Sequence, residues 1–221
     1  GPHCTKILGD LGADIIKVER VENGDDTRKF APPFMKDENG NDTDQSAYFS
    51  GTNRNKRSIT LNLNSPEGQY IAKQLIAKSD ILVENFKVGT LAKYGLDYNT
   101  LKDEFPSLIY CSITGFGQTG PYSKRPAYDA LVQAMGGVMS LTGDANGEPM
   151  KVGVSIADLM AGMYGTVSIL AALRHRDKTN EGQHLDISML DAHVAWLANQ
   201  GMNYLATNEN PERLGNQHPN I

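Results

Sequence analysis

Asp158 is the carboxylate whose setting in the sequence best suits chemistry. It follows the apolar run Val152 to Ile156 and opens a stretch, Leu159 to Leu173, that carries no charge. An aspartate in that place reads in two ways. As a helix cap it would accept from free backbone N–H groups and stabilise the helix by about 1 kcal/mol. As a nucleophile it would be kept ionised by the helix dipole while apolar neighbours exclude water, ready to attack an activated carbonyl. Residue types alone leave both readings open.

Other candidates are weaker. Gly115-Phe116-Gly117-Gln118-Thr119-Gly120 matches GxGxxG after a strand, but Pro121 to Pro126 follow it as a loop. A dinucleotide site needs a helix to begin inside the motif, so NAD binding is not expected. Asn53 to Arg57 concentrates three cations, Arg54, Lys56 and Arg57, beside a strand. It is either a solvated turn or an anion site at the crevice of an open sheet, where ligands of α/β proteins gather. Arg20, Leu61 to Asn64 and Asn85-Phe86-Lys87 fall at such strand ends, a combination suited to a ligand with several phosphates. Cys4 at a helix start could be a stabilised thiolate, yet no histidine base can be assigned to it and packing is the simpler role. The histidines are scattered and the cysteines stand apart, so no metal site is expected.

The elements that would position these residues follow from periodicity. Cys4 to Leu11 reads as a helix, Ala13 to Glu19 and Arg57 to Leu63 as strands, and residues 22–46 as one long polar loop. Ser65, Pro66 and Glu67 announce a helix whose buried face is expected at Ile71, Leu75 and Ile76. Ile81 to Glu84 and Leu108 to Thr114 are apolar strands flanking a short helix at Tyr98 to Glu104. This alternation predicts parallel βαβ units in a doubly wound, Rossmann-like open α/β sheet. Beyond Pro126 come a Gly-interrupted helix from Asp129 to Met139 and an extended run at Val152 to Ile156. A long apolar helix from Asp158 to Arg176, a strand at Leu185 to Ser188 and a helix from Met189 to Ala206 complete the chain, read as one domain.

The 221 residues carry 21 Lys and Arg against 26 Asp and Glu, so general nucleic-acid binding is not expected. Two cysteines argue against a disulfide framework and fit a reducing, cytoplasmic setting, or a mitochondrial one in a eukaryote. The apolar run is shorter than the roughly 20 residues of a bilayer span, which favours a buried core helix. Both ends read as cut within longer text.

Several segments in series resemble the class III (formyl-CoA transferase-like) CoA-transferases over the whole chain. They are Gly1-Pro2, Leu8 to Ala13, Ile16 to Arg20, Gly24 to Arg28, Asn55 to Ser58, Val83 to Phe86, Thr114 to Pro121, Ala157-Asp158 and Gly182-Gln183. Within the family the flavour is that of the succinyl-CoA-dependent dicarboxylate transferases. The resemblance implies a large domain lacking its first strand, a C-terminal small domain and a glycine-rich loop. It implies an acyl-CoA and a carboxylic acid as partners, coenzyme A as substrate with no further cofactor, no membrane, and an interlocked homodimer at full length. It also implies that Asp158 forms an acyl anhydride and then an aspartyl-CoA thioester. The matching coenzyme A contacts are Arg20, Leu61, Asn62, Leu63, Asn64, Asn85, Phe86, Lys87, Lys93 and Tyr128. Racemases of the superfamily carry a histidine base at position 128, so tyrosine there favours transfer. A racemase-like isomerase and a non-catalytic coenzyme A-binding scaffold stand as the alternatives.

Overall fold

Helices and parallel strands alternate through residues 1–221, all of which the computed structural model describes. In chain order the helices are α1 (Pro2–Asp10), α2 (Ala47–Asn53), α3 (Pro66–Ile76), α4 (Tyr98–Leu101), α5 (Asp129–Met135), α6 (Val138–Leu141), α7 (Ile156–Thr179), α8 (Met189–Val194) and α9 (Ala198–Thr207). The strands are β1 (Ile15–Glu19), β2 (Phe34–Lys36), β3 (Asp42–Ser46), β4 (Lys56–Thr60), β5 (Ile81–Glu84), β6 (Ile109–Thr114) and β7 (Gln183–Ser188).

The parallel strands lie in two sheets, β1-β4 and β5-β6-β7, where one continuous open sheet was expected. No strand of this chain bridges β1 and β5. The three-stranded sheet is covered on both faces, which is why β6 is buried along its whole length. Ile109, Cys111 and Ile113 face α1 and α7 through Cys4, Leu8, Ala161 and Ile169. Tyr110 faces the other way, onto Ala72, Ile76, Leu91 and Leu101. Gly162 lets α1 come close, since a Cβ there would stand 3.0 Å from His3 Cβ.

Local chemistry explains the elements and the departures from expectation. Ser65 Oγ accepts from Gly68 N–H at 3.1 Å and Pro66 opens α3, as its sequence predicts. The buried stripe of α3 is Gly68, Ala72 and Ile76, while Ile71 is exposed. Residues 22–46 are not a plain loop. They hold a 3-10 turn at Asp26–Lys29 and the β2–β3 hairpin, whose turn Asp37 secures by accepting from Asn39 and Asn41 N–H. The Gly-interrupted helix divides at Gly137, which takes φ 91°, and the last helix divides at Ala198, φ 48°. Val152 to Ile156 is not a strand, because Val152 N–H bonds the Gln133 side chain at 2.7 Å instead of a neighbouring strand.

α7 is long and apolar enough to span a bilayer by composition. One face packs the core through Ile156, Ala157, Ala161, Gly165, Ile169 and Ala172. The other exposes Met163, Tyr164, Val167 and Leu170, so the expected buried core helix is buried on one face only.

Candidate active site

The carboxyl ends of the parallel strands gather most of the expected binding residues. β1 and β4 run side by side with Glu19 opposite Thr60, and Leu61 N–H donates to Glu19 O at 3.0 Å. Arg20 and Leu61 to Asn64 therefore share one edge. Asn62 Oδ1 accepts from Asn64 N–H at 3.1 Å, a local Asx turn, and Asn64 Oδ1 accepts from Tyr94 Oη–H at 2.9 Å. That bond ties the edge to the turn carrying Lys93, which is exposed. Arg20 is exposed and held by Asp26 and by Gly24 O.

Beneath this edge lies a buried ionic knot. Glu19 receives both Arg28 Nε–H and Nη2–H at 2.9 Å, Ser58 Oγ–H at 2.7 Å and Asp25 N–H at 2.8 Å. The Arg28 guanidinium above all holds the Glu19 carboxyl down at about 2. Arg28 also stacks 3.9 Å from the Phe49 ring centroid. Lys17 joins Asp25 to Asn53.

The cation cluster at 53–57 is not a free anion site. Arg54 is paired with Asp10 and Arg57 with Asp14, while Lys56 Nζ–H donates to the carbonyls of Pro2 and Thr52. Burial lowers the Lys56 ammonium to about 8. These cations are used in joining α1, α2 and β4, so the segment is an ion-paired junction. Cys4 is fully buried and burial raises its thiol, which makes it packing. The segment 115–126 is loop, folding back so that Gln118 N–H donates to Asp186 Oδ2 at 2.8 Å.

Asp158 stands in the first turn of α7, but the cap belongs to another residue. Asp129 Oδ1, from the start of α5, accepts from Ala157 N–H at 2.8 Å and Asp158 N–H at 3.3 Å. Asp129 Oδ2 accepts from Gln133 at 2.7 Å, and Gln133 is fully buried. The Asp158 carboxylate engages no donor of this chain. Burial of the carboxyl raises it above the ordinary carboxylate value, and the nearby Asp129 charge adds to the rise. One expectation is thereby corrected: the residue as a whole is exposed, so its helix start is not dry in this chain.

Gly1 packs against Asn85: a Cβ on it would stand 3.0 Å from Asn85 Cβ. Asn85 Nδ2–H bonds Ile113 O, and Phe86 and Lys87 are exposed beyond it. Tyr128, just before Asp129, is 81% exposed and turned to solvent. Tyr48 lies near enough for the Asp158 and Asp129 charges to raise its phenol, after burial as the main cause. Sequence reading missed Asp129, Gln133 and Tyr48. The i, i+4 spacing of Asp129 and Gln133 was the available signal, since such pairs meet on a helix face.

A family model described as CoA-transferase family III matches residues 1–221. The chain is 52% identical over 221 residues to succinate–glutarate CoA-transferase of Agrobacterium fabrum, covering all of this chain and 55% of that protein. It is 44% identical to the human succinyl-CoA:glutarate CoA-transferase, covering 100% of this chain and 49% of that one. A crystal structure of a CaiB/BaiF family protein from Brucella suis superposes with a TM-score of 0.93 at 51% identity, over 100% of this chain and 57% of that one. The chain thus spans about half the length of the curated relatives it matches.

Proposed function

The chain belongs to CoA-transferase family III, and from that premise we propose that the full natural protein moves coenzyme A between carboxylic acids with Asp158 as nucleophile. The observation that carries this reading is the unengaged Asp158 carboxylate, left free because Asp129 caps α7 in its place. A carboxylate raised above its ordinary value is also more basic, hence a better nucleophile once ionised.

The steps balance without a redox or metal group. Asp158 attacks the thioester carbonyl, the C–S bond breaks, and coenzyme A leaves as thiolate from a mixed anhydride. The thiolate attacks the Asp158 carbonyl, releasing the donor acid and leaving an aspartyl-CoA thioester. The acceptor carboxylate attacks that thioester, forming a second anhydride and freeing the thiolate. Thiolate attack on the acceptor's acyl carbon yields the new acyl-CoA and regenerates Asp158. Splitting one transfer into covalent steps lowers each barrier.

Coenzyme A is assigned to the strand ends: Arg20, Leu61 to Asn64, Asn85 to Lys87 and Lys93, with Tyr128 beside the nucleophile. The shared edge of Arg20 and Leu61 to Asn64 at the ends of β1 and β4, tied by Tyr94 to the turn of Lys93, supports that part of the assignment. Relatives named for succinate and glutarate support a dicarboxylate pair, with succinyl-CoA as donor. An interlocked homodimer would cover the exposed face of α7.

Hydroxylamine trapping tests the reaction. Full natural protein turning over with succinyl-CoA should yield a hydroxamate on the Asp158 peptide, and Asp158→Asn should lose turnover by several orders of magnitude, since an amide forms no anhydride. Normal turnover with no modification at Asp158 would refute the assignment.

A further inference from the structure

The segment that follows α9 carries one arginine with an unusual set of partners. Arg213 is half-buried and donates from all three of its nitrogens to main-chain oxygens of a single loop. Nε–H reaches Asp144 O at 2.8 Å, Nη1–H reaches Ser140 O at 3.1 Å, and Nη2–H bonds Gly147 O. The ion-paired arginines elsewhere, Arg20, Arg28, Arg54, Arg57 and Arg176, all meet carboxylates.

A guanidinium presents its N–H groups in a fixed planar fork, so it gathers three carbonyls only where the loop curls to fit it. Gly143 makes the curl: it takes φ 122°, and a Cβ there would stand 3.1 Å from Glu148 O and 3.3 Å from Arg213 Cδ. Met150 N–H donates to Thr142 O at 2.9 Å and closes the loop at its base. On its other side the arginine's own segment is anchored to α9, where Asn199 Nδ2–H donates to Asn220 Oδ1 at 2.7 Å. α9 buries no residue, so polar ties of this kind fix the segment.

The base of the loop leads to the start of α7. Two residues beyond Met150, Val152 N–H donates to Gln133 Oε1 at 2.7 Å, and Gln133 Nε2–H donates to Asp129 Oδ2 at 2.7 Å. Asp129 Oδ1 takes the N–H groups of Ala157 and Asp158. Hydrogen bonds and short runs of backbone thus connect Arg213 to Asp158 without a gap.

We propose, on the reading that Asp158 is the nucleophile, that Arg213 is a positioning residue. By gathering Ser140, Asp144 and Gly147 it sets the loop that fixes the first turn of α7, and with it the place from which the Asp158 carboxylate attacks. No residue assigned to coenzyme A lies in this loop, so the effect falls on the chemical step and not on binding. A nucleophile displaced by about 1 Å loses about a hundredfold in rate.

Single-turnover labelling of the full natural protein by succinyl-CoA, with hydroxylamine trapping and mass analysis of the Asp158 peptide, tests it. Arg213→Ala should slow labelling at Asp158 at least about tenfold and lower kcat with it, while Kd for coenzyme A stays within about twofold of wild type. Gly143→Ala, which presses on Arg213 and strains the loop without removing a bond, should slow labelling about threefold or more at unchanged Kd. Methylguanidinium, which supplies the planar fork again, should raise the labelling rate of Arg213→Ala about threefold or more and leave Asp158→Asn unlabelled. Labelling at the wild-type rate in both loop variants would refute positioning and leave Asp158 standing as nucleophile. Normal turnover of the wild type with no label on Asp158 would bring down the nucleophile reading, and this proposal with it. A loss that only follows the folded fraction, measured by calorimetry on the same samples, would reduce Arg213 to a structural tie and overturn the proposal. Should Arg213→Ala fail to fold, Gly143→Ala carries the test alone, because every hydrogen-bonding group stays in place.

Discussion

Asp129→Asn should destabilise the protein although it changes a single oxygen to nitrogen. Asp129 Oδ1 caps α7 through Ala157 and Asp158 N–H, and Oδ2 accepts from Gln133 Nε2–H at 2.7 Å. An asparagine can keep its oxygen on the cap only by presenting its own N–H2 to that Gln133 nitrogen, so two donors face each other. Gln133 cannot turn its amide to relieve this, because its Oε1 accepts from Val152 N–H at 2.7 Å and the residue is fully buried. One buried group is left unsatisfied whichever way the amides rotate, which costs about 2 kcal/mol. For a chain of this size that corresponds to a fall in melting temperature of about 4–8 °C. Adding Gln133→Glu restores complementarity: the new carboxylate accepts both from the substituted amide at position 129 and from Val152 N–H, and most of the lost stability should return. Guanidinium denaturation of wild type, single and double variants measures this directly. A single variant as stable as wild type, or a double variant less stable than the single, would show that the clamp does not hold the start of α7.

Two further outcomes follow from the same site. Glu19 has a folded value of about 2 against an ordinary 4.5, so its contribution is fully present above about pH 4.5 and is lost as pH falls toward 2. Denaturation curves between pH 6 and 3 should show wild type losing on the order of 2–3 kcal/mol relative to Glu19→Gln, and parallel pH dependences would refute this. Arg20→Ala should raise the Kd for coenzyme A at least about tenfold, while folding stability moves by less than about 0.5 kcal/mol, because its pair with Asp26 is a surface one. Unchanged affinity by calorimetry would remove Arg20 from the site.

The sequence by itself determined whatever depends on neighbours along the chain. Apolar runs at Ile81 and Ile109 gave parallel strands, half-buried in β5 and fully buried in β6, and Ser65-Pro66 gave the start of α3. Strand ends marked the edge to which the binding residues are assigned, because in parallel βαβ units the carboxyl ends point one way. The ordered motifs were enough to indicate the family. Contacts between distant segments were legible only in the tertiary structure. Asp158 looked like its own helix cap until α5 brought Asp129 onto the same N–H groups from 28 residues away. The cations of 53–57 looked free until the fold placed Asp10, at the end of α1, and Asp14 against them. Hydrogen-bond capacity is saturable, so which of several eligible carboxylates takes a donor is decided by packing. A carboxylate left over, as Asp158 is, cannot be recognised before every competitor has been placed.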